Sequence, residues 1–297
     1  MERTINISIN CKGKTAVNGW TSYKTPQQAT ILLEHVSGYP SLVSKSIQDE
    51  LVKYHHRVCM YDRPGYMLSP QGYAPISPVT LERALSSALR IAGEEGPFYL
   101  VGHHTGAEYS QIFANINYDS VVGMSFIYPT YTALVGLLNT NQTESIRLAR
   151  AQAMTDGSLL PDTNLALQRL NFQRALAALG TWMTSPPALS DTSSSSQNLT
   201  EWALSSPYLA QAQFFELSMQ PQLAEIISDM KPPLDTLKRL PIKLFGVSPE
   251  RSTQEEYKMA TNAYFKVDIS DPDNLQPLSL RRVAQEISLH ISQLHLF

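Results

Sequence analysis

The run Tyr99-Leu100-Val101-Gly102-His103-His104-Thr105-Gly106 holds the residues best spaced for chemistry. An apolar strand pattern enters Gly-x-His-x-Gly, and a helical pattern leaves it. That is the layout of a nucleophile elbow, a sharp strand-to-helix turn that exposes one side chain at its tip. With serine at the tip, the chemistry would be acyl transfer. The hydroxyl attacks a carbonyl, a histidine takes its proton, a carboxylate holds the histidine, and two N–H groups stabilise the oxyanion. Here the tip is His104. Imidazole cannot form the acyl-serine ester, although it could be a nucleophile, an acid–base group or a ligand. The plainer reading is an imidazole that fills the turn, caps the next helix or faces a partner.

The elements around this run must position it. Ile5, Ile7 and Ile9 alternate with polar residues, as in a half-exposed edge strand. Ala29 to His35, Arg57 to Tyr61, Pro97 to Val101 and Val121 to Tyr128 are short apolar runs suited to buried strands. Helical spacing links them over Ser41 to Tyr54, Thr80 to Ala92 and Ala107 to Asn115. Such alternation predicts right-handed crossovers and a mainly parallel sheet. Residues 131–238 break the rhythm with a Leu- and Ala-rich helical stretch, including a flexible Ser-rich loop at Ser190 to Ser196. Strands resume at Pro241 to Gly246 and Tyr264 to Ile269, and a helix closes the chain from Leu278 to about Leu294. The expected organisation is an α/β core at 1–130 and 239–297, with a helical cap inserted at 131–238.

The stretch from Ile31 to Tyr128 resembles the α/β-hydrolase superfamily, in the branch with a Tyr-Asp-Arg-x-Gly-Tyr loop. Leu33-Glu34-His35-Val36-Ser37-Gly38-Tyr39-Pro40 is similar to an oxyanion loop. Tyr61-Asp62-Arg63-Pro64-Gly65-Tyr66 is similar to the loop after the next strand, and Gly96 to His103 to the approach to the elbow. The resemblance implies an α/β-hydrolase fold, a mainly parallel sheet flanked by helices with an inserted cap. It implies pocket or oxyanion-loop roles for His35, Val36, His103 and Thr105. Gly102, Gly106, Asp62 and Arg63 would then be structural.

The departures from that pattern fall on the chemistry. His104 stands at the nucleophile. The His-Gly of the oxyanion loop is His35-Val36, where a β-branched side chain makes an unusual backbone conformation costly. The acid setting reads Gly246-Val247-Ser248-Pro249, with Glu250 one position late, and the alternative acid position is Tyr128. The loop from Ser270 to Pro277, where a general base belongs, has no histidine, and His290 and His295 come too late. The resemblance therefore implies a catalytically degenerate member, leaving enzyme activity open and inclining against it. If the chain is active, His104 and Glu250 are the candidates. Asp271 and Asp273 read as loop solvation, and Tyr61, Tyr66, Tyr73, Trp182 and Trp202 as core or cap-to-core aromatics.

With 297 residues, the chain can bury a full core. A formal charge of −3 gives no electrostatic case for nucleic acid. No apolar run approaches the roughly 20 residues of a spanning helix, so a soluble protein is expected. The N-terminal run reads as a strand rather than a targeting segment. A reducing intracellular compartment follows, the cytoplasm or an organelle interior such as the mitochondrial one. Cys11 and Cys59, far apart in sequence, then read as unpaired thiols. The sequons at Asn141 and Asn198 would go unused there. His35, His103 and His104 flank one pocket in the expected fold, but no ligand spacing supports a metal, and no cofactor is expected. The resulting expectation is a non-catalytic binding or architectural subunit of a larger assembly, partnered by other protein subunits. The alternatives are a hydrolase of a small ester or amide that uses His104, and a receptor for a small apolar ligand under the cap.

Overall fold

The computed structural model describes residues 5–13, 29–72, 75–130, 133, 207–229, 240–245, 267–270 and 280–294. The strands are β1 (Ser8–Lys12), β2 (Thr30–Glu34), β3 (Arg57–Asp62), β4 (Phe98–His103), β5 (Val121–Ile127), β6 (Ile242–Phe245) and β7 (Val267–Ser270). They form one seven-stranded sheet in the order β1-β3-β2-β4-β5-β6-β7. Every neighbouring pair is parallel except β1 with β3, which is antiparallel. The helices among the described residues are α1 (Lys45–Lys53), α2 (Pro78–Ile91), α3 (Gly106–Ile116), α4 (Pro207–Ser218), α5 (Gln220–Asp229) and α6 (Leu280–Gln293).

Parallel strands joined by helical crossovers are covered on both faces, so their sequences are apolar without alternation. All five residues of β2 are buried. The period-two pleat still divides them. Leu32 and Leu100 join a core with Leu85, Phe113 and Phe126 on one face of the sheet. Ile31, Leu33, Tyr99 and Val101 join Leu51, Val283 and Ile287 on the other. α6 presents Leu280, Val283, Ala284, Ile287 and Ile291, the stripe that a 3.6-residue period places on one side. α2 begins where Ser77 accepts a hydrogen bond from the Thr80 N–H, with Pro78 in its first turn.

A polar seam crosses the second core. The Tyr99 hydroxyl lies 2.5 Å from Ser125 Oγ and 2.5 Å from His290 Nδ1, tying β4, β5 and α6 together. Buried Lys243 on β6 donates to Glu286 of α6 at 2.6 Å. Buried polar groups cost free energy unless they find partners, so this seam fixes one seating of α6 on the sheet.

The edge strand corrects one expectation. Cys11 and Cys59 are not unpaired thiols; they are joined in a disulfide between β1 and β3. The antiparallel pairing sets Cys11 directly opposite Cys59, with Cα atoms 4.0 Å apart. Their separation of 48 residues hid this, because only the pairing of the edge strand brings them together. Glu94 lies beside the bridge, but it accepts from Arg57 at 2.6 Å and from Thr30 at 3.1 Å. With both sulfurs bonded and the carboxylate held, this trio offers no ligand set to a metal.

Of the expected cap, residue 133, α4 and α5 lie among the described residues. α5 packs Leu223 and Ile227 against Leu81, Tyr109 and Ile112. The Ser-rich loop, both sequons, Tyr73, Trp182, Trp202, Glu250, Asp271 and Asp273 lie outside the described residues. No helix among the described residues is long and apolar enough to cross a membrane.

Candidate functional site

β4 ends at His103, and the chain turns through His104 and Thr105 into α3. His104 has φ 53°, the left-handed conformation that a non-glycine residue rarely adopts. Its N–H donates to the Ile127 carbonyl at 2.9 Å, and its own carbonyl accepts from Ala107 at 3.0 Å. The glycines on either side permit this turn. A Cβ on Gly102 would lie 2.5 Å from Ala107 Cα, and one on Gly106 would lie 2.1 Å from the Glu34 carbonyl oxygen. Both approaches are backbone on backbone, so neither position tolerates a side chain. The elbow is formed with imidazole at its tip.

The loop after β2 faces this elbow. Thr105, the residue after the tip, accepts a hydrogen bond from the Ser37 N–H through its Oγ1 at 2.6 Å. An oxyanion hole of this design takes one N–H from the residue after the tip and one from this loop. Here the Thr105 side chain takes up one N–H of that loop. Val36 is buried and is not among the non-glycine residues with positive φ. The chain meets the β-branched residue with an ordinary conformation there and takes its left-handed step at Gly38, φ 82°.

Three imidazoles surround the turn. His35 is fully buried, and its Nδ1–H donates to the Val36 carbonyl at 3.1 Å. Burial, with the Arg63 charge added, holds it neutral well below the usual histidine range. Burial and then the neighbouring His104 push His103 down to about 4. Nε2 of His35 and Nε2 of His103 have no hydrogen-bond partner among the described residues. Among the described residues, these three rings do not bring three ligand atoms within 4.8 Å of one another, the spacing found only for Cys11, Cys59 and Glu94. His55 is exposed, and His56 is half-buried and bonded to Ser288 at 2.9 Å, with burial lowering its pKa.

Asp62 and Arg63 hold the loops. Asp62 accepts from the Ser41 N–H at 3.1 Å and the Leu68 N–H at 3.5 Å, and burial raises its pKa. Arg63 is 2% exposed. It donates to the His35 carbonyl at 2.7 Å and to Glu216 of α4 at 2.5 Å, and reaches Glu34 at 3.4 Å. Its guanidinium lies 4.1 Å from the centre of the Tyr109 ring.

Three buried carboxylates around Arg63 were not singled out from sequence. Glu34 accepts from Tyr61 at 2.6 Å, and the same hydroxyl lies 3.5 Å from Glu82. Glu216 accepts from the Gly38 N–H at 3.0 Å, from Arg63 and from the Tyr66 hydroxyl. Burial, offset in part by Arg63 and Tyr61, pushes Glu34 up to about 7. Burial and the Glu34 charge carry Glu82 well above the usual carboxylate range. Glu34 carried a readable signal, a carboxylate inside an apolar strand. Glu82 carried a fainter one, beside Leu81 on the apolar face of α2. Glu216 carried none. A cavity of about 40 Å³ adjoins the cluster, lined by Arg63, Tyr66, Leu81, Tyr109, Phe215 and Glu216 among others; His104 and His35 are not in its lining.

The fold is also found among solved structures. The chain superposes on a haloalkane dehalogenase, DatA, from Agrobacterium tumefaciens C58, with a TM-score of 0.60 and 16% identity, over 98% of this chain and 94% of that one. An esterase from Thermogutta terrifontis gives a TM-score of 0.54 and 15% identity, over 98% and 94%. The chain has the α/β-hydrolase fold. At these identities the likeness concerns the fold alone. No family model matches the sequence.

By sequence, the chain is 33% identical over 132 residues to an uncharacterized vacuolar membrane protein of Saccharomyces cerevisiae, covering 42% of this chain and 20% of that protein. An uncharacterized protein of Schizosaccharomyces pombe is 38% identical over 71 residues, 24% of this chain and 13% of its own length. The chain thus spans about a fifth or less of the curated relatives it matches. The vacuolar-membrane naming overturns the expected cytoplasmic or mitochondrial location. That location rested on the N-terminal run reading as a strand rather than a targeting segment, and the unpaired thiols followed from it; the disulfide runs against a reducing compartment as well.

Proposed function

We propose that this hydrolase-fold chain is a non-catalytic binding or architectural module within a larger protein assembly. The observation that carries the reading is the Ser37 N–H bonded to Thr105 Oγ1 beside a histidine-tipped elbow. A substrate oxyanion would have to displace that bond, and the tip lacks the hydroxyl that forms an acyl ester. Where a triad works as a unit, removing the nucleophile costs on the order of 10⁶ in turnover, and the oxyanion hole supplies much of what remains. The short overlap with much longer yeast relatives supports a module within a larger whole, and their naming supports placing that assembly at a vacuolar membrane. The formed elbow favours one second reading, in which His104 acts on a small ester or amide.

Turnover of a panel of activated esters and amides tests both. The expected result is that wild type, His104→Ala and His104→Ser all match buffer. Turnover by wild type that is lost in His104→Ala overturns the non-catalytic reading and makes His104 the centre of a mechanism.

A further inference from the structure

Glu216 and Arg63 are the tie between α4 and the loops that face the elbow. Gln213, one turn earlier on α4, donates to the Gly38 carbonyl, and Glu216 accepts from the Gly38 N–H at 3.0 Å. Tyr66 and Arg63 add two further donors to the same carboxylate. Gly38, Arg63 and Tyr66 lie roughly 150 to 178 residues from α4 in the chain, so this clasp is wholly tertiary. Arg63 is shared unequally, at 2.5 Å from Glu216 and 3.4 Å from Glu34. One guanidinium balances one carboxylate. A second buried carboxylate in its ionised form must compete for it.

We propose that the Glu34–Arg63–Glu216 cluster is a proton-controlled latch, in which a proton on Glu34 leaves Arg63 to Glu216 and so holds α4 on the loops beside the elbow. Loss of that proton sets two carboxylates against one cation and weakens the hold.

Groups from every surrounding element face the cluster. They are Tyr61 on β3, Arg63 and Tyr66 after it, Glu82 on α2, Tyr109 on α3 with Glu108 in reach of its charge, Glu216 on α4, and His35 next to Glu34 in the chain. Burial holds both histidines below the usual range, His35 well below it and His103 at about 4, which opposes charge on either ring. The sign follows from what α4 contributes. Glu34 sits at about 7, raised first by burial and to a smaller extent by the Glu216 charge that α4 brings, against the lowering by Arg63 and Tyr61. Release of α4 removes that charge and leaves Arg63 to Glu34 alone, so the Glu34 pKa falls. Closure is therefore favoured by protonation, and the latch weakens as pH rises through the range just below about 7, then levels off.

The proposal is independent of whether His104 turns over any substrate, because its readout is motion of α4. Hydrogen exchange of the α4 amides, corrected for the intrinsic effect of pH on exchange, is compared at about pH 5 and about pH 8. Protection of α4 is expected to fall on the order of tenfold for each unit of pKa difference between latched and released forms. Glu34→Gln, which is neutral at both pH values, is expected to keep α4 protected throughout. Glu216→Gln removes the carboxylate being held and is expected to leave α4 poorly protected and independent of pH. Equal corrected protection of wild-type α4 at both pH values overturns the latch, whatever the variants do. So does a Glu34→Gln or Glu216→Gln protein that retains the wild-type pH dependence.

Discussion

Thr105 shows how much one hydroxyl decides at this site. Its Oγ1 is the acceptor for a buried backbone N–H, and little else in the loop could replace it. Thr105→Ala leaves the Ser37 N–H without that acceptor, which costs about 1–3 kcal/mol. Thr105→Ser keeps the oxygen and is expected to recover most of the loss. Urea unfolding of the three proteins measures both effects, and no loss in the alanine variant would show that the bond contributes nothing. His104 is the companion case. Its type and spacing were legible from the sequence, since Gly102 and Gly106 frame it. Its left-handed backbone was not, because the two close approaches that force it are seen only once strand and helix are packed. Glu216 was not legible, because its role depends on Gly38, Arg63 and Tyr66, none of which is near it in the chain.

Among the elements, the central strands β2 to β5 follow from apolar runs of the right length, and the structure places each within a few residues. The helix expected over Ser41 to Tyr54 splits into a 3₁₀ turn, Ser41–Ser44, and α1. Pro40 starts the turn, and the Ser41 N–H is drawn to Asp62, which fixes the entry. The edge strand was expected around Ile5, Ile7 and Ile9 but lies at Ser8–Lys12, with only Ile9 inside it, and its direction was not legible. Its antiparallel pairing with β3 depends on the connection from residue 13 to 29, and no local pattern encodes that. The disulfide is the consequence. In the chain-entropy picture, closing a loop of this length stabilises by about 4 kcal/mol. Reduction, or Cys11→Ser with Cys59→Ser, is expected to lower the melting temperature and to raise exchange in β1 before the parallel strands. Exchange that rises uniformly over all seven strands would show that β1 is not the element held by the bridge.

At the scale of the whole molecule, buried acids and buried bases set opposite pH dependences. Glu34, Glu82 and Asp62 are raised by burial, so their folded forms hold protons that the unfolded chain has released. Their contribution falls as pH rises above the ordinary carboxylate range, for Glu34 through about 7. His103 and His35 are lowered, so their contribution is complete above the ordinary 6.5 and is lost as pH falls, for His103 through about 4. The two slopes oppose each other over the shared interval and flatten the wild-type curve. Glu34→Gln is expected to expose a stability that rises with pH there, and His103→Gln one that falls. Denaturant midpoints across pH check both slopes, and parallel curves for wild type and both variants would refute the assignment.

The bridge between β1 and β3 also changes what the chain is as a covalent object. Residues 12 to 58 lie inside a closed ring that contains β2, the loop facing the elbow and α1. A single peptide cut anywhere in that ring opens it without parting it. The product is one molecule with two new ends, indistinguishable by mass from the intact chain except for one added water. It runs as a single band until a reductant is added, and only then as two. The segment carrying Glu34, His35 and Gly38 therefore stays fastened to the sheet after a nick, because its attachment no longer depends on an unbroken backbone.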